Sequence, residues 1–234
     1  MGVSLPVPPV SRVRWRQTFR IIPSRYPPID LFERVADPAD WERLADLESM
    51  TNPRLRQEWG EISLVPPGRR VSGPGASWVM AAFTHLKPGG SRFSDGTFGV
   101  YYAANSKDAA IAETVHHLGR FYASTSDPPH REEMRVLVSG IDASLHDIRS
   151  GSKWKSAHDP DDYGPSQSLG VSLRASQSNG IVYNSVRHSG SENFAAFWPD
   201  VVQIPVQGPH LLYDWDGTRV RRYFDFSTHA WVDL

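Results

Sequence analysis

Three side chains with complementary chemistry fall within the stretch 90–113 of this chain. Arg92 lies in a Gly/Ser-rich loop, and an arginine placed there suits a phosphate because its guanidinium fork donates two parallel hydrogen bonds. Tyr102 could stack on an aromatic leaving group. Glu113 could stabilise a developing oxocarbenium ion, grip a ribose hydroxyl or activate a nucleophile. The competing interpretation is structural, with Arg92 and Glu113 as a surface ion pair and Tyr102 in the core.

The elements around these residues would have to bring them together. The apolar run Phe98–Ala104 predicts a buried strand, and Ser106 is a suitable N-cap for a helix that reaches about Thr125. The spacing of Ile111, Val115, Leu118 and Tyr122 predicts the core-facing stripe of that helix. Glu113 lies off the stripe, among small alanines, so a ligand could approach it closely.

The chain before this stretch supplies one more candidate. Trp15–Ile22 alternates apolar and polar residues, which predicts a strand with Arg20 near its end. Asp37-Pro38 and Asn52-Pro53 each resemble the start of a helix, the first with Trp41, Leu44 and Leu47 and the second with Leu55 and Trp59. A further helix is predicted over Ala76–Leu86.

The chain after the helix is predicted to consist mainly of strands. These are Met134–Val138, Gly180–Arg187, which carries Ser185, and Asp200–Val206, followed by a hairpin of Leu211–Trp215 and Arg219–Phe224 joined through Asp216-Gly217. Gly151–Ser178 is rich in Gly, Ser and Asp and predicts a long loop, which could close over a cleft as a lid.

Composition narrows the possible functions. The 234 residues carry 25 Lys and Arg against 26 Asp and Glu, so nothing marks the surface for nucleic acid. The absence of cysteine excludes thiolate chemistry and disulfides and favours the cytoplasm. No apolar run reaches membrane-spanning length, and we expect no membrane contact.

Motifs for other common chemistries are missing. His116 and His117 are adjacent on the helix and point about 100 degrees apart, so they cannot readily share one metal ion, and no metal site is predicted. The sequence has no phosphate-binding P-loop, no dinucleotide-binding glycine pattern and no Gly-x-Ser-x-Gly elbow.

Several short blocks in a fixed order resemble the RES-domain toxins of bacterial toxin-antitoxin modules. The blocks are Phe19-Arg20-Ile21, Ser91-Arg92-Phe93, Tyr102-Ala103-Ala104, Ala110-Ile111-Ala112-Glu113, and Tyr183-Asn184-Ser185 followed by Asn193 and Pro199. The order of the blocks is far more specific than any single block.

The resemblance implies an α/β (α+β) fold with a split, bent mixed sheet, similar to diphtheria-toxin-like ADP-ribosyltransferases, and a cleft for NAD as co-substrate. Carried over residue by residue, Glu113, Arg20 and Tyr102 would form the catalytic set. Arg20, Arg92, Tyr102, Ser185 and Asn193 would bind NAD. The resemblance also implies a cognate Xre-like antitoxin that blocks the cleft.

Two departures leave alternatives open. The segment between Arg20 and Arg92 is long, with inserted helices at about 37–60, and the loop reads Ser-Arg-Phe where Gly-Arg-Trp is usual. Arg25 is a rival to Arg20 as the site arginine.

We expect one domain over 13–226, preceded by an extended lead-in at 1–12. The reaction could be ADP-ribosyl transfer to a protein, which the inserted surface favours, or NAD hydrolysis or phosphorolysis; a non-catalytic nucleotide- or protein-binding domain is the third alternative.

Overall fold

The structure, a computed structural model, describes residues 5–34, 37–49 and 59–234, with side chains omitted for 47–49. Its helices are α1 (Asp30–Arg34), α2 (Trp41–Ser49), α3 (Ala76–Thr84), α4 (Lys107–Thr125) and α5 (Gly164–Ala175). Its strands are β1 (Val10–Pro23), β2 (Tyr101–Ala104), β3 (His130–Asp147), β4 (Gly180–Asn184), β5 (Glu192–Ala196), β6 (Val206–Trp215), β7 (Val220–Asp225) and β8 (Ala230–Asp233). The expected mixed α+β class is confirmed.

The eight strands form one mixed sheet in the order β1-β2-β5-β4-β3-β6-β7-β8. The pairing of β3 with β4 is parallel and the other pairings are antiparallel. Because β1 also pairs with β3 along most of its length, the first five strands close into a ring. The sheet extends from Val10 to Asp233, slightly beyond the domain bounds expected from the sequence.

The core consists of three clusters of buried side chains. The first contains Trp41, Phe83 and Phe194, the second contains Tyr122 and Trp215, and the third surrounds Trp154, Leu173 and Phe197. The second cluster lies under α4 and the third under α5.

The N-terminal predictions are partly confirmed. Asp37 caps a short 3-10 turn at Pro38–Asp40, and α2 follows at once with Trp41 fully buried. The helix predicted at Asn52-Pro53 lies outside the described residues, apart from the buried Trp59.

The predicted loop over Gly151–Ser178 is wrong. A 3-10 segment at Ser152–His158 and helix α5 occupy most of it, and Trp154, Leu169 and Leu173 are buried. The polar composition hid a sparse apolar stripe, and Pro165 in the first turn was the available start signal. A lid motion of this segment would have to expose these core side chains.

The strand predicted over Asp200–Val206 is also wrong. Pro199–Val201 forms a 3-10 turn, and the strand begins only at Val206. Proline in the first turn has a fixed φ and no N–H to donate to a ladder, so a tight turn suits this position. The hairpin over β6 and β7 is confirmed. The strand predicted over Gly180–Arg187 is present but ends at Asn184, so Ser185 directly follows it.

Candidate active site

Helix α4 presents Glu113 to the ends of two strands. Its N-cap is Ser106, whose Oγ accepts a hydrogen bond from the Ala109 amide at 3.2 Å, as its sequence position predicted. One residue after Glu113, Thr114 Oγ1 lies 2.7 Å from the Tyr213 hydroxyl on β6. The helix is therefore fixed lengthwise and rotationally against the sheet.

Two neutral donors hold the carboxylate of Glu113. Its Oε1 accepts hydrogen bonds from Ser185 Oγ at 3.1 Å and from Asn193 Nδ2 at 3.0 Å. Ser185 Oγ in turn accepts from the backbone amides of Arg187 and His188 at 3.3 and 3.1 Å, which leaves its own proton for Glu113. The side chain of Glu113 is 22% exposed, so the carboxylate is oriented but still reachable.

His117 lies one helical turn after Glu113, with Nε2 3.9 Å from Oε2 of the carboxylate. Burial lowers the pKa of His117 to about 4, helped by the positive charges of His116, Lys87, Arg187 and Arg92. At neutral pH the imidazole is therefore uncharged. It does not cancel the negative charge of Glu113.

A cavity of about 690 Å³ opens beside β1 and β2. Its wall contains Arg20, Ile22, Pro23, Tyr26, Pro27, Ile29, Trp78, Ala81, Ala82, His85, Lys87, Gly90, Ser91, Ser94, Gly96, Phe98, Gly99, Val100 and Tyr102. Within the described part of the chain no aspartate or glutamate lines it, whereas Arg20 and Lys87 do. Glu113 is not part of this wall; its link to the cavity is Tyr102, which lies on the same sheet face as the Glu113 partner Asn193.

Arg20 lies in the cavity wall without a carboxylate partner among the described residues. Its Nη1 donates to the Tyr102 carbonyl at 3.1 Å, and its guanidinium carbon lies 4.6 Å from the centre of the Tyr101 ring. Burial lowers the pKa of Arg20, although the two tyrosines oppose the shift. Arg25 instead pairs with Glu132 at 3.3 Å and is half exposed, so Arg20 is the arginine of the cavity.

Tyr102 joins the glycine-bounded loop to β2. Its hydroxyl accepts the Phe93 amide at 3.0 Å and shares a hydrogen bond with Ser91 Oγ at 2.8 Å. Burial raises the pKa of Tyr102 to about 12, so the phenol is neutral at physiological pH. Gly90 closes the loop with φ of 75°, and a Cβ there would come within 2.0 Å of the Ser94 carbonyl.

Of the predicted site residues, Arg20 and Tyr102 line the cavity, whereas Glu113, Ser185 and Asn193 do not. Arg92 also lies outside the cavity wall, is only 8% exposed, and donates through Nη1 to the carbonyls of Asp159 at 2.8 Å and Ala157 at 3.3 Å. Its guanidinium carbon lies 4.5 Å from the centre of the Tyr163 ring. Arg92 thus anchors the segment before α5, and its charge reaches the site only at longer range.

The strand register explains why the other predicted residues converge. Tyr102 pairs with Ala195 and Ala104 pairs with Asn193, while Tyr183 of β4 is also opposite Asn193. Directly paired residues project from the same face of a sheet, so Tyr102, Asn193 and Tyr183 share the face that α4 covers at Glu113. Asn193 is buried, and its Oδ1 atom has no hydrogen-bond partner among the residues that the structure describes.

Sequence reasoning missed several cavity residues. Trp78 was assigned to a helix core stripe, and Tyr26, His85 and Lys87 were not singled out. Lys87 immediately before Pro88-Gly89-Gly90 was the one available signal, since it places a cation at the start of the glycine loop.

The described residues contain neither a metal-binding cluster nor a membrane-spanning helix. Within residues 5–34, 37–49 and 59–234, no group of three or more histidine and acidic side chains is arranged to hold a metal ion. No helix of these ranges is long and apolar enough to cross a membrane.

The fold and site together define a mixed α+β protein with an oriented glutamate beside a cation-lined cavity. The RES domain family model matches residues 67–216, and this chain belongs to that family. Arg92, Tyr102, Glu113, Ser185 and Asn193 lie within the match, whereas Arg20 precedes it.

Two further similarities cover nearly the whole chain. Uncharacterized protein y4oC of Sinorhizobium fredii is 28% identical over 211 residues, which is 89% of this chain and 87% of that protein. A chain from the crystal structure of the M. tuberculosis MbcT-MbcA toxin-antitoxin complex aligns with a TM-score of 0.46 and 11% identity, covering 88% of this chain and 87% of that one.

Proposed function

We propose that this protein is the toxin of a toxin-antitoxin module and that it cleaves NAD at the bond between nicotinamide and ribose. The observation that carries the proposal is the Glu113 carboxylate, which Ser185 and Asn193 orient on the sheet face that also carries Tyr102 of the cavity wall. Membership of the RES family supports the same site assignment.

Charge complementarity supports a dinucleotide as the substrate. The cavity wall carries Arg20 and Lys87, and the pyrophosphate of NAD is an anion that a guanidinium binds through two oxygens. Arg20 has no carboxylate competing for it in the described structure. Its cation is held instead by the Tyr101 ring, which leaves the charge uncompensated for a ligand.

Glu113 would act on the developing charge at the reacting carbon. As the bond from ribose C1′ to the nicotinamide nitrogen breaks, the bonding electron pair leaves with nicotinamide and C1′ gains oxocarbenium character. The carboxylate stabilises this charge electrostatically, and its orientation is fixed before the reaction begins. The acceptor then bonds to C1′ and gives up its proton.

A protein side chain is the acceptor we propose. The region between β1 and α3 adds α1 and α2 beside the core, and α2 presents exposed residues such as Arg43 and Asp46 to a partner. Phosphate or water is the second candidate, and the positive charges of Lys87 and Arg187, which act on His117 beside Glu113, favour the anionic phosphate. An Xre-like antitoxin that covers the cleft is the partner we propose for inhibition.

The first test is Glu113→Gln. We expect NAD cleavage to fall on the order of a hundredfold or more, because the variant keeps the size of the side chain but loses the charge. The measurement is release of nicotinamide from NAD labelled on the adenylate. Asp108→Asn, an exposed charge removal in the first turn of the same helix, is the matched control and should retain full activity.

The same assay identifies the acceptor. Label that becomes attached to a lysate protein supports transfer, whereas nicotinamide release without labelled protein supports hydrolysis or phosphorolysis. If the wild-type chain consumes no NAD, with or without lysate, the proposed activity is wrong and the third alternative, a non-catalytic binding domain, gains support.

A further inference from the structure

The cavity wall carries two chemically different groups of side chains, a polar end and an aromatic end. Arg20 and Tyr102 form the polar end, where Arg20 Nη1 donates to the Tyr102 carbonyl. Trp78 and Tyr26 form the aromatic end; both contact Arg135, which pairs with Ile22, two residues along β1 from Arg20. Glu113 is outside the wall, and Tyr102 shares its sheet face with Asn193, which binds Glu113.

Contacts outside the cavity hold the aromatic end together. The guanidinium carbon of Arg135 lies 5.3 Å from the centre of the Trp78 ring, and its Nη1 donates to the Tyr26 carbonyl at 3.3 Å. Ser77 Oγ accepts the Ile29 amide at 2.7 Å and donates to Glu33 Oε1 at 2.7 Å. The indole is therefore positioned by its surroundings before any ligand arrives.

Strand β1 connects the two ends. Arg20 and Ile22 lie on the same face of the strand, about 7 Å apart, and both line the cavity. The chain then turns at Pro23 and reaches Tyr26. A ligand with its reacting end at Glu113 and its phosphates near Arg20 would thus place its remaining part against Trp78 and Tyr26.

We propose that Trp78 and Tyr26 form a subsite for the adenine base, a specificity that rests on the proposed cleavage of NAD. An indole and a phenol next to the apolar Ile22, Pro27 and Ile29 suit a flat aromatic ring, which stacks on such side chains. No acidic side chain of the described residues lines the cavity to compete for the donor groups of the base.

The subsite combines residues from the N-terminal region of this chain with a residue from the part that matches the RES family. Tyr26 and Ile29 precede residue 67, where the match to the RES family begins, while Trp78 lies eleven residues inside it. The selectivity for the adenylate half of the substrate is therefore set partly by residues outside the matched domain.

The test compares NAD with nicotinamide mononucleotide, which lacks the adenylate. We expect Trp78→Ala to lower kcat/KM for NAD on the order of tenfold and to leave cleavage of nicotinamide mononucleotide nearly unchanged. Trp78→Phe should recover most of the NAD activity because it keeps an aromatic face. Trp231→Ala, in exposed strand β8, is the matched control.

Binding of adenosine monophosphate gives a second measurement that needs no catalysis. Calorimetry should show binding that Trp78→Ala weakens and Glu113→Gln does not. Equal losses for NAD and nicotinamide mononucleotide, or adenosine monophosphate binding that is insensitive to Trp78→Ala, would overturn the subsite. Binding that depends on Trp78 in a protein that leaves NAD intact would support the subsite and overturn only the proposed cleavage.

Discussion

The Glu113 carboxylate is oriented by neutral hydrogen-bond donors and not by a cation. Its Oε1 accepts two neutral hydrogen bonds, and the described structure provides no hydrogen bond to Oε2. A lysine or arginine in contact would stabilise the ground state and weaken the field at the reacting carbon. Serine and asparagine orient the carboxylate and leave its negative charge available to the proposed substrate.

His117, one helical turn after Glu113, makes the stability of the fold depend on pH. Its pKa is about 4 in the folded protein against an ordinary value of 6.5. A histidine with a lowered folded pKa binds protons more readily when unfolded, so it destabilises the fold progressively as pH falls from 6.5 towards 4. Half of the side chain is exposed, and solvent screening keeps this contribution small.

We therefore expect His117→Gln to lose less stability than the wild type between pH 7 and pH 5. The difference in the fall of Tm should be on the order of 2 °C, measured by circular dichroism at both pH values. His229→Asn, at an exposed left-handed position that asparagine tolerates, is the control and should follow the wild type. Identical pH slopes for His117→Gln and the wild type would show that His117 is not the group responsible.

At the scale of elements, Arg92 connects the glycine loop to helix α5. Gly170 of the helix approaches the loop so closely that a Cβ would lie 2.0 Å from the Phe93 carbonyl. Arg92 then reaches past this contact to the carbonyls of Ala157 and Asp159. The loop that frames the cavity and the segment after β3 form one packed unit.

Removing this anchor should loosen that unit. We expect Arg92→Gln to lower the free energy of unfolding by about 2 kcal/mol, because buried hydrogen bonds from a charged donor are lost. Limited proteolysis should become faster within 151–163. Arg120→Gln, an exposed substitution on α4, should show neither effect.

The same variant also tests the nucleotide-binding role that the family resemblance implies for Arg92. A raised KM for NAD at unchanged stability would show that Arg92 acts on the ligand and not as an anchor. Lost stability together with faster proteolysis would support the anchoring role.

At the scale of the whole molecule, the two ends of the chain contribute unequally to the sheet and to the candidate site. Strand β1 pairs with both β2 and β3, closes the ring and carries Arg20. Strand β8 pairs only with β7 at the edge of the sheet, and all four of its residues are exposed. The candidate site depends on β1 and is remote from β8.

A truncation after Phe226 should therefore fold and keep NAD cleavage within about twofold of the full chain, with Tm lower by a few degrees. Deletion of 5–22 should prevent folding, because it removes one strand of the ring. Circular dichroism and nicotinamide release test both variants. Loss of activity in a stably folded C-terminal truncation would mean that β8 supports the site.

Structural features that depend on neighbouring residues were predicted correctly from the sequence alone. The Ser106 cap, the apolar stripe of α4 and the Asp216-Gly217 hairpin depend on residues only a few positions apart, and all are present in the structure. The ordered blocks identified the family and the mixed fold. Sparse apolar content hid α5, because its core stripe rests on only a few side chains such as Leu169 and Leu173.

Tertiary structure alone decided which of these residues work together. Ser185 and Asn193 are 72 and 80 positions from Glu113, and strand pairing and the placement of α4 bring them to one carboxylate oxygen. The same packing turned Arg92 towards Asp159 and put Trp78 and Tyr26 in one cavity wall. Such outcomes depend on register and close packing between distant segments, which local spacing does not encode.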